Sequence, residues 1–171
     1  MLRLAEVLAP YLRVVRFNFP YREAGSKRPD PMPVLKETIA KIAQREKGAG
    51  KLLLGGRSMG GRAASMLAAD GFACDGLLLF AYPLHPAGQA EKLRDAHLAK
   101  IQVPVLCFNG TRDALCTHAL MERAVSGLAN WQMHWLEGAD HSFRVLKSSN
   151  RSEDDVYAEV AGTTARWLTG K

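Results

Sequence analysis

The chain has 171 residues, of which 47% are hydrophobic and 23% charged, and a formal net charge of +6. This length and composition are ordinary for one globular domain with a sizeable core, so we treat residues 1–171 as a single domain. The basic residues are scattered and no stretch of eighteen apolar residues exists, which disfavours nucleic-acid binding and a membrane-spanning segment.

Three cysteines, Cys74, Cys107 and Cys116, are odd in number and lack the spacing of metal ligands. They favour a reducing, cytoplasmic location. Residues 1–15 are too interrupted by charge for a secretory signal and predict a short amphipathic helix that leads into a strand. Cys116 lies three residues after a candidate acid, so a reactive thiol and an inert core side chain both stay open.

Short apolar runs alternate with helical patterns along the rest of the chain. Strands are predicted at residues 12–17, 52–55, 76–82, 104–110 and 131–136, and helices at residues 33–45, 61–69, 118–128 and 152–168. The strands that begin at residues 52, 76 and 104 are continuously apolar, which is typical of strands buried on both faces. The pattern predicts an α/β, doubly wound, mainly parallel sheet of about five strands, whose ligands bind at the carboxyl ends of the strands.

A G-x-S-x-G motif stands between the second predicted strand and the helix after it, at residues 56–60. In this setting a sharp turn pushes the serine, Ser58, out of the sheet toward a substrate. The flanking glycines, Gly56 and Gly60, are expected because a Cβ would collide there with neighbouring backbone. We interpret Ser58 as a nucleophile; an incidental serine in a glycine-rich turn is the alternative.

A serine hydroxyl needs a base to remove its proton, and the base needs an acid to orient it. Asp113 and His141 each follow a predicted strand, so both lie at the same sheet edge as Ser58. Asp140 is a rival acid, but it adjoins His141, and neighbours in an extended loop point apart. Among five histidines, His141 is the best placed base.

Four further residues near predicted strand ends are candidates for substrate contact: Arg57, Tyr82, His85 and Phe143. Two nucleotide-binding motifs fail. A P-loop requires Ser or Thr after Gly-Lys, but Gly50-Lys51 is followed by Leu52. A G-x-G-x-x-G fingerprint requires a third glycine where this chain has Leu53. A nucleotide-binding domain is therefore disfavoured.

Four segments together resemble a known family: RFNFPY at residues 16–21, GGRSMGGR at 55–62, YPLHP at 82–86 and GADH at 138–141. The chain resembles the small, dienelactone-hydrolase-like α/β-hydrolases, and among them a bacterial branch related to a testis-expressed protein and to a subunit of a histone acetyltransferase complex. The resemblance implies a Ser-Asp-His triad of Ser58, Asp113 and His141, with the backbone N–H of Met59 as an oxyanion donor. It implies little about the substrate.

The family also has an earlier strand and a His-Gly loop that gives a second oxyanion donor, and we expect both to be absent from this chain. In the family's order that strand lies between residues 12–17 and 52–55, so its loss would leave a gap of about 9–10 Å. Unpaired backbone groups buried there would cost about 1–3 kcal/mol each. We therefore expect a start upstream of Met1, a shift of the first strand, or a strand supplied by another chain. Gly25–Ser26 is an alternative source of the second donor.

The sequence as a whole predicts a serine hydrolase acting on an ester, thioester or related acyl substrate. No metal or organic cofactor is expected, because the chemistry needs none. The expected partner is the small acyl substrate, with homo-oligomer formation through an exposed strand edge left open. A catalytically impaired hydrolase-fold protein used for binding or scaffolding is the alternative.

Overall fold

The computed structural model describes residues 1–170. It contains six α-helices, one short 3₁₀ helix (Leu98–Lys100) and four strands. The helices are α1 (Leu2–Leu8), α2 (Pro20–Glu23), α3 (Met32–Glu46), α4 (Met59–Ala69), α5 (His118–Val125) and α6 (Glu153–Thr169), and the strands are β1 (Leu53–Arg57), β2 (Gly76–Phe80), β3 (Val105–Gly110) and β4 (Trp131–Leu136).

The four strands form one parallel sheet in the order β1-β2-β3-β4. Leu54 is in register with Leu77, and Leu77 with Val105, so apolar residues of neighbouring strands stand side by side. All strands point the same way, and their carboxyl ends therefore meet at one edge. The prediction of a doubly wound parallel α/β sheet is confirmed, with four strands instead of about five.

Helices cover both faces of this sheet. The larger buried cluster takes in residues of α3, α4 and α5, and the smaller one, on the opposite face, takes in residues of α1 and α6. Every residue of β2 and β3 is buried, as a continuously apolar strand between two helical layers requires. The prediction of burial on both faces is wrong for β1, because β1 is an edge strand and Gly55 in its middle is exposed.

The predicted first strand does not form. Residues 13–18 have no regular secondary structure and are exposed, and within residues 1–170 their backbone groups bond to no other backbone group. They do not shift to pair with β1, and β1 pairs only with β2 on its other side. Since these groups are exposed, water can bond to them, and the large penalty expected for buried unpaired groups does not arise.

The last helix begins where the sequence predicts. The Ser152 hydroxyl accepts a hydrogen bond from the Asp155 N–H, and the Asp155 carboxylate accepts one from the Ser152 N–H, which completes a capping box. Val156 and Val160 of α6 are fully buried against the sheet. Across residues 1–170, no helix is both long enough and apolar enough to cross a bilayer.

Candidate active site

Ser58 occupies a strained turn between β1 and α4. Its backbone has φ 52° and ψ −119°, a conformation that L residues rarely adopt and that costs on the order of 1–3 kcal/mol. The Ser58 N–H donates to Phe80 O of the neighbouring strand at 2.8 Å, which ties the turn to the sheet. The fold therefore holds this serine at the carboxyl edge of the sheet at an energetic cost.

Close backbone packing keeps the turn sharp. A Cβ on Gly56 would lie 2.6 Å from the carbonyl carbon of Gly60, and one on Gly61 would lie 2.7 Å from Gly56 O. The expectation of a backbone collision is thus confirmed for Gly56. It is wrong for Gly60, whose Cβ would meet nothing nearer than the Phe19 ring at 3.8 Å; Gly61 is the second crowded position.

The structure brings Ser58, His141 and Asp113 together. His141 Nε2 lies 2.9 Å from Ser58 Oγ, and His141 Nδ1 lies 2.8 and 2.9 Å from the two carboxylate oxygens of Asp113. The Asp113 side chain is fully buried, whereas the His141 side chain is 27% exposed. The polar chain thus runs from a dry carboxylate to a serine at the rim.

Asn109, which the sequence argument did not single out, supports the acid. Its side-chain amide donates to Asp113 Oδ2 at 3.2 Å and to Tyr82 O at 3.1 Å, and its Oδ1 accepts from the Tyr82 N–H. The Leu115 N–H donates to the other carboxylate oxygen of Asp113 at 2.8 Å. A buried amide in the otherwise apolar strand β3 was the available signal, since a strand interior rarely retains a polar side chain without a partner.

The loops that carry the acid and the histidine are joined directly. Thr111 Oγ1 accepts from the Gly138 N–H, and the Arg112 N–H donates to Ala139 O. A Cβ on Gly110 would lie 2.6 Å from the carbonyl carbon of Ala139, so only glycine allows this approach. Arg57, at the end of β1, also contacts the histidine loop, because its Nη2 donates to His141 O at 2.7 Å.

Backbone strain concentrates at this edge. Within residues 1–170, the non-glycine residues with positive φ are Ser58, Ala81 and Phe143, and each follows a strand or lies in the histidine loop. Such conformations persist only where the surrounding structure enforces them, and they are common at functional sites.

The candidates for substrate contact have different surroundings. Arg57 is half-buried and lies over the Phe143 ring, 5.7 Å from its centroid, while Phe143 itself is fully buried. Tyr82 is fully buried and its hydroxyl donates to Arg94 O. His85 is buried too, with Nε2 bonded to Thr117. These three buried rings pack within the protein, and their role in substrate contact stays a prediction.

The backbone N–H groups predicted as oxyanion donors differ in whether they already have an acceptor. Met59 is the first residue of α4, so its N–H has no acceptor within the helix. The N–H groups of Gly25 and Ser26 donate to Arg22 O and Tyr21 O. The Gly25–Ser26 loop therefore has its donors engaged in its own turn.

The structure bears on two alternatives left open by the sequence, Asp140 as a rival acid and Cys116 as a reactive thiol. The Asp140 carboxylate accepts the N–H groups of Ser142 and Arg144, so it stabilises the histidine loop instead of contacting the histidine ring. Cys116 is buried, and burial raises the pKa of its thiol to about 12. A thiol that stays protonated is a poor nucleophile, so Cys116 is a core side chain.

A family model described as an alpha/beta hydrolase domain matches residues 1–169. The chain belongs to the alpha/beta hydrolase domain family. Members of a hydrolase fold place their nucleophile at a strand-to-helix turn, where Ser58 lies in this chain.

Solved structures share the alpha/beta hydrolase fold at low identity. An alpha-beta serine hydrolase homologue from Coxiella burnetii is 19% identical with a TM-score of 0.71, and the match covers 98% of this chain and 74% of that one. An esterase domain from Rhodothermus marinus is 17% identical with a TM-score of 0.65, covering 98% and 77%. A candidate dienelactone hydrolase from Klebsiella pneumoniae is 20% identical with a TM-score of 0.61, covering 91% and 68%. At these identities the likeness concerns the fold.

Proposed function

We propose that this alpha/beta hydrolase domain is a serine hydrolase that acts on an ester, thioester or related acyl substrate. The observation that carries the proposal is the continuous hydrogen-bonded chain from Asp113 through His141 to Ser58 Oγ. Serine hydrolases and esterases among the structural neighbours agree with this reaction class. The narrower kinship with a testis-expressed protein, and a cytoplasmic location, remain proposals that rest on sequence motifs and unpaired cysteines.

The chemistry would proceed through an acyl-enzyme. Ser58 Oγ attacks the substrate carbonyl while His141 Nε2 takes the hydroxyl proton, and the carbonyl oxygen becomes an oxyanion. His141 then gives that proton to the leaving alcohol or thiol as its bond to the carbonyl breaks. Water, deprotonated by His141, attacks the acyl-enzyme, and the proton returns to Ser58 Oγ as the acid is released.

Asp113 acts through the histidine. Its carboxylate accepts the Nδ1–H of His141, which leaves the lone pair of Nε2 directed at Ser58 Oγ. Asn109 and the Leu115 N–H fix the carboxylate in turn. The Met59 N–H, at the first position of α4, is the donor we assign to the oxyanion, where the positive end of the helix dipole also favours negative charge.

Acyl transfer can be tested with short-chain p-nitrophenyl esters and acyl thioesters. We expect hydrolysis by the native chain and its loss in Ser58→Ala, because that change removes the hydroxyl bonded to His141 Nε2. Ser126→Ala, at the end of α5, is the matched control and should retain the native rate. Equal rates in Ser58→Ala and the native chain would contradict the proposal, and complete inactivity of the native chain would favour the scaffold alternative.

A further inference from the structure

Arg62 lies one helical turn after Ser58, since its N–H donates to Ser58 O within the first turn of α4. The side chain is half-buried, and its Nε is fully buried without a hydrogen-bond partner. Among residues 1–170, none of the ion pairs includes Arg62. A buried donor on a guanidinium usually has an acceptor, so this one calls for a partner.

A second arginine, Arg94, belongs to the same neighbourhood. The Tyr82 hydroxyl donates to Arg94 O, the Tyr82 ring lies 6.4 Å from the His97 ring, and His97 is bonded to Ser65, three residues after Arg62. Burial lowers the pKa of Arg94, and the positive charge of Arg62 lowers it further. The Arg94 side chain donates a long hydrogen bond from Nη1 to Pro83 O at 3.3 Å. Like Arg62, Arg94 forms no ion pair within residues 1–170. Two like charges that are partly removed from water repel each other unless an anion lies between them.

The groups around this pair do not neutralise it. Ser65 Oγ donates to Arg62 O, so His97 Nε2 donates to Ser65, and burial together with Arg62 lowers the pKa of His97 to about 4. The ring is therefore neutral near pH 7. The Tyr82 hydroxyl donates to Arg94 O and its pKa lies far above its ordinary value because of burial. Of the acids near His97, Asp70 pairs with Lys36, and Asp95 forms no ion pair within residues 1–170.

We propose that Arg62 and Arg94 bind an anionic oxygen group, a carboxylate or a phosphate, carried by the substrate beside the carbonyl that Ser58 attacks. The planar guanidinium fork suits two-oxygen recognition of such groups. The link to the substrate rests on the proposed hydrolase function, whereas anion binding by the two arginines does not. The substrate class would then be acyl compounds with a second, negatively charged group.

A pair of matched esters tests the substrate class. The p-nitrophenyl monoester of pimelic acid has a free carboxylate at the far end of its acyl chain, and p-nitrophenyl heptanoate has a methyl group there instead. We expect the native chain to prefer the acidic ester in kcat/KM. Arg62→Gln and Arg94→Gln should each lower kcat/KM for the acidic ester about 10- to 100-fold more than for the neutral one, the loss of one charge-assisted contact.

Direct binding tests the anion site without catalysis. Calorimetry on Ser58→Ala with glutarate and, separately, inorganic phosphate should detect binding of at least one anion, and the tighter of the two identifies the oxygen group. Arg62→Gln should abolish that binding, and Arg62→Lys, which keeps the charge and guards against a folding defect, should restore part of it. Arg123→Gln, exposed in α5, is the control for net charge.

The outcomes separate the two proposals. Anion binding without ester turnover would uphold the anion site and contradict the hydrolase. Turnover of both esters at equal kcat/KM, with neither anion bound, would uphold the hydrolase and overturn the anion site. Binding that Arg123→Gln weakens as much as Arg62→Gln does would also overturn it, because the effect would then come from net charge.

Discussion

Asp113 and Asp140 both serve the histidine loop, but only Asp113 contacts the ring. Asp113→Asn should reduce ester hydrolysis by about 10⁴-fold, the effect seen when the corresponding acid of a well-studied triad is replaced and the histidine tautomer is wrong. Asp140→Asn should reduce it far less, because an amide oxygen can still accept the Ser142 and Arg144 N–H groups. Steady-state kcat/KM for the two variants is the measurement, and the reverse ranking would contradict the assignment of the acid.

The strain at Ser58 makes a stability prediction. Glycine adopts φ 52° and ψ −119° without a side-chain penalty. In urea unfolding, the free energy of unfolding of Ser58→Gly should therefore exceed that of Ser58→Ala by about 1 kcal/mol, once the entropy cost of glycine is subtracted. Both variants lack the hydroxyl, so the comparison isolates the backbone. Equal free energies of unfolding would mean that the turn stores no strain.

For single residues, the sequence predicted which side chains take part in the candidate site better than it predicted the contacts those side chains make. Ser58, Asp113 and His141 could be proposed because a motif and strand ends locate them in one dimension. Asn109 could not, since its role depends on a contact with the Asp113 carboxylate across the end of β3. Tyr82 and His85 follow β2 closely, but their side chains turn inward, and the positive φ of Ala81 that redirects the chain is not readable from sequence.

Among the elements, the joint between the β3 and β4 loops is the tightest. Gly110→Ala would place a Cβ against the backbone of Ala139, and neither backbone is free to move without disturbing Asp113 or His141. We expect a loss of more than about 2 kcal/mol in the free energy of unfolding together with a loss of hydrolysis. Gly48→Ala, where the added Cβ meets nothing within 4 Å, should change stability by no more than about 0.5 kcal/mol. Similar effects in the two variants would show that the joint tolerates expansion.

Helix α6 and strands β2, β3 and β4 were predictable because periodicity and caps are local signals. The failure at residues 12–17 is of another kind. Two valines between Leu12 and Phe17 predict a strand, but a strand also needs a neighbour to bond to, and β1 does not pair with this segment. Self-association through the free edge of β1 stays a prediction, which light scattering over a range of protein concentrations can test; a constant monomer mass would contradict it.

For the whole molecule, His97 predicts how stability depends on pH. Burial, and then Arg62, lower the pKa of His97 from 6.5 to about 4 in the folded chain. Between these values the unfolded chain binds the proton more readily, so this histidine makes stability fall as the pH drops from about 6.5 toward 4. His97→Gln, which cannot titrate, should lose less unfolding free energy between pH 7 and pH 5 than the native chain does. An equal loss, measured by urea unfolding at both pH values, would contradict the assignment.

The central claim is that the fold makes Ser58 a nucleophile through His141. Intact-mass and peptide analysis after treatment with a fluorophosphonate tests it most directly, because such probes react with activated serines. We predict one adduct, on Ser58, absent from Ser58→Ala and formed much more slowly in His141→Gln, with circular dichroism unchanged in both variants. An adduct on another residue, or labelling of His141→Gln at the native rate, would contradict the claim.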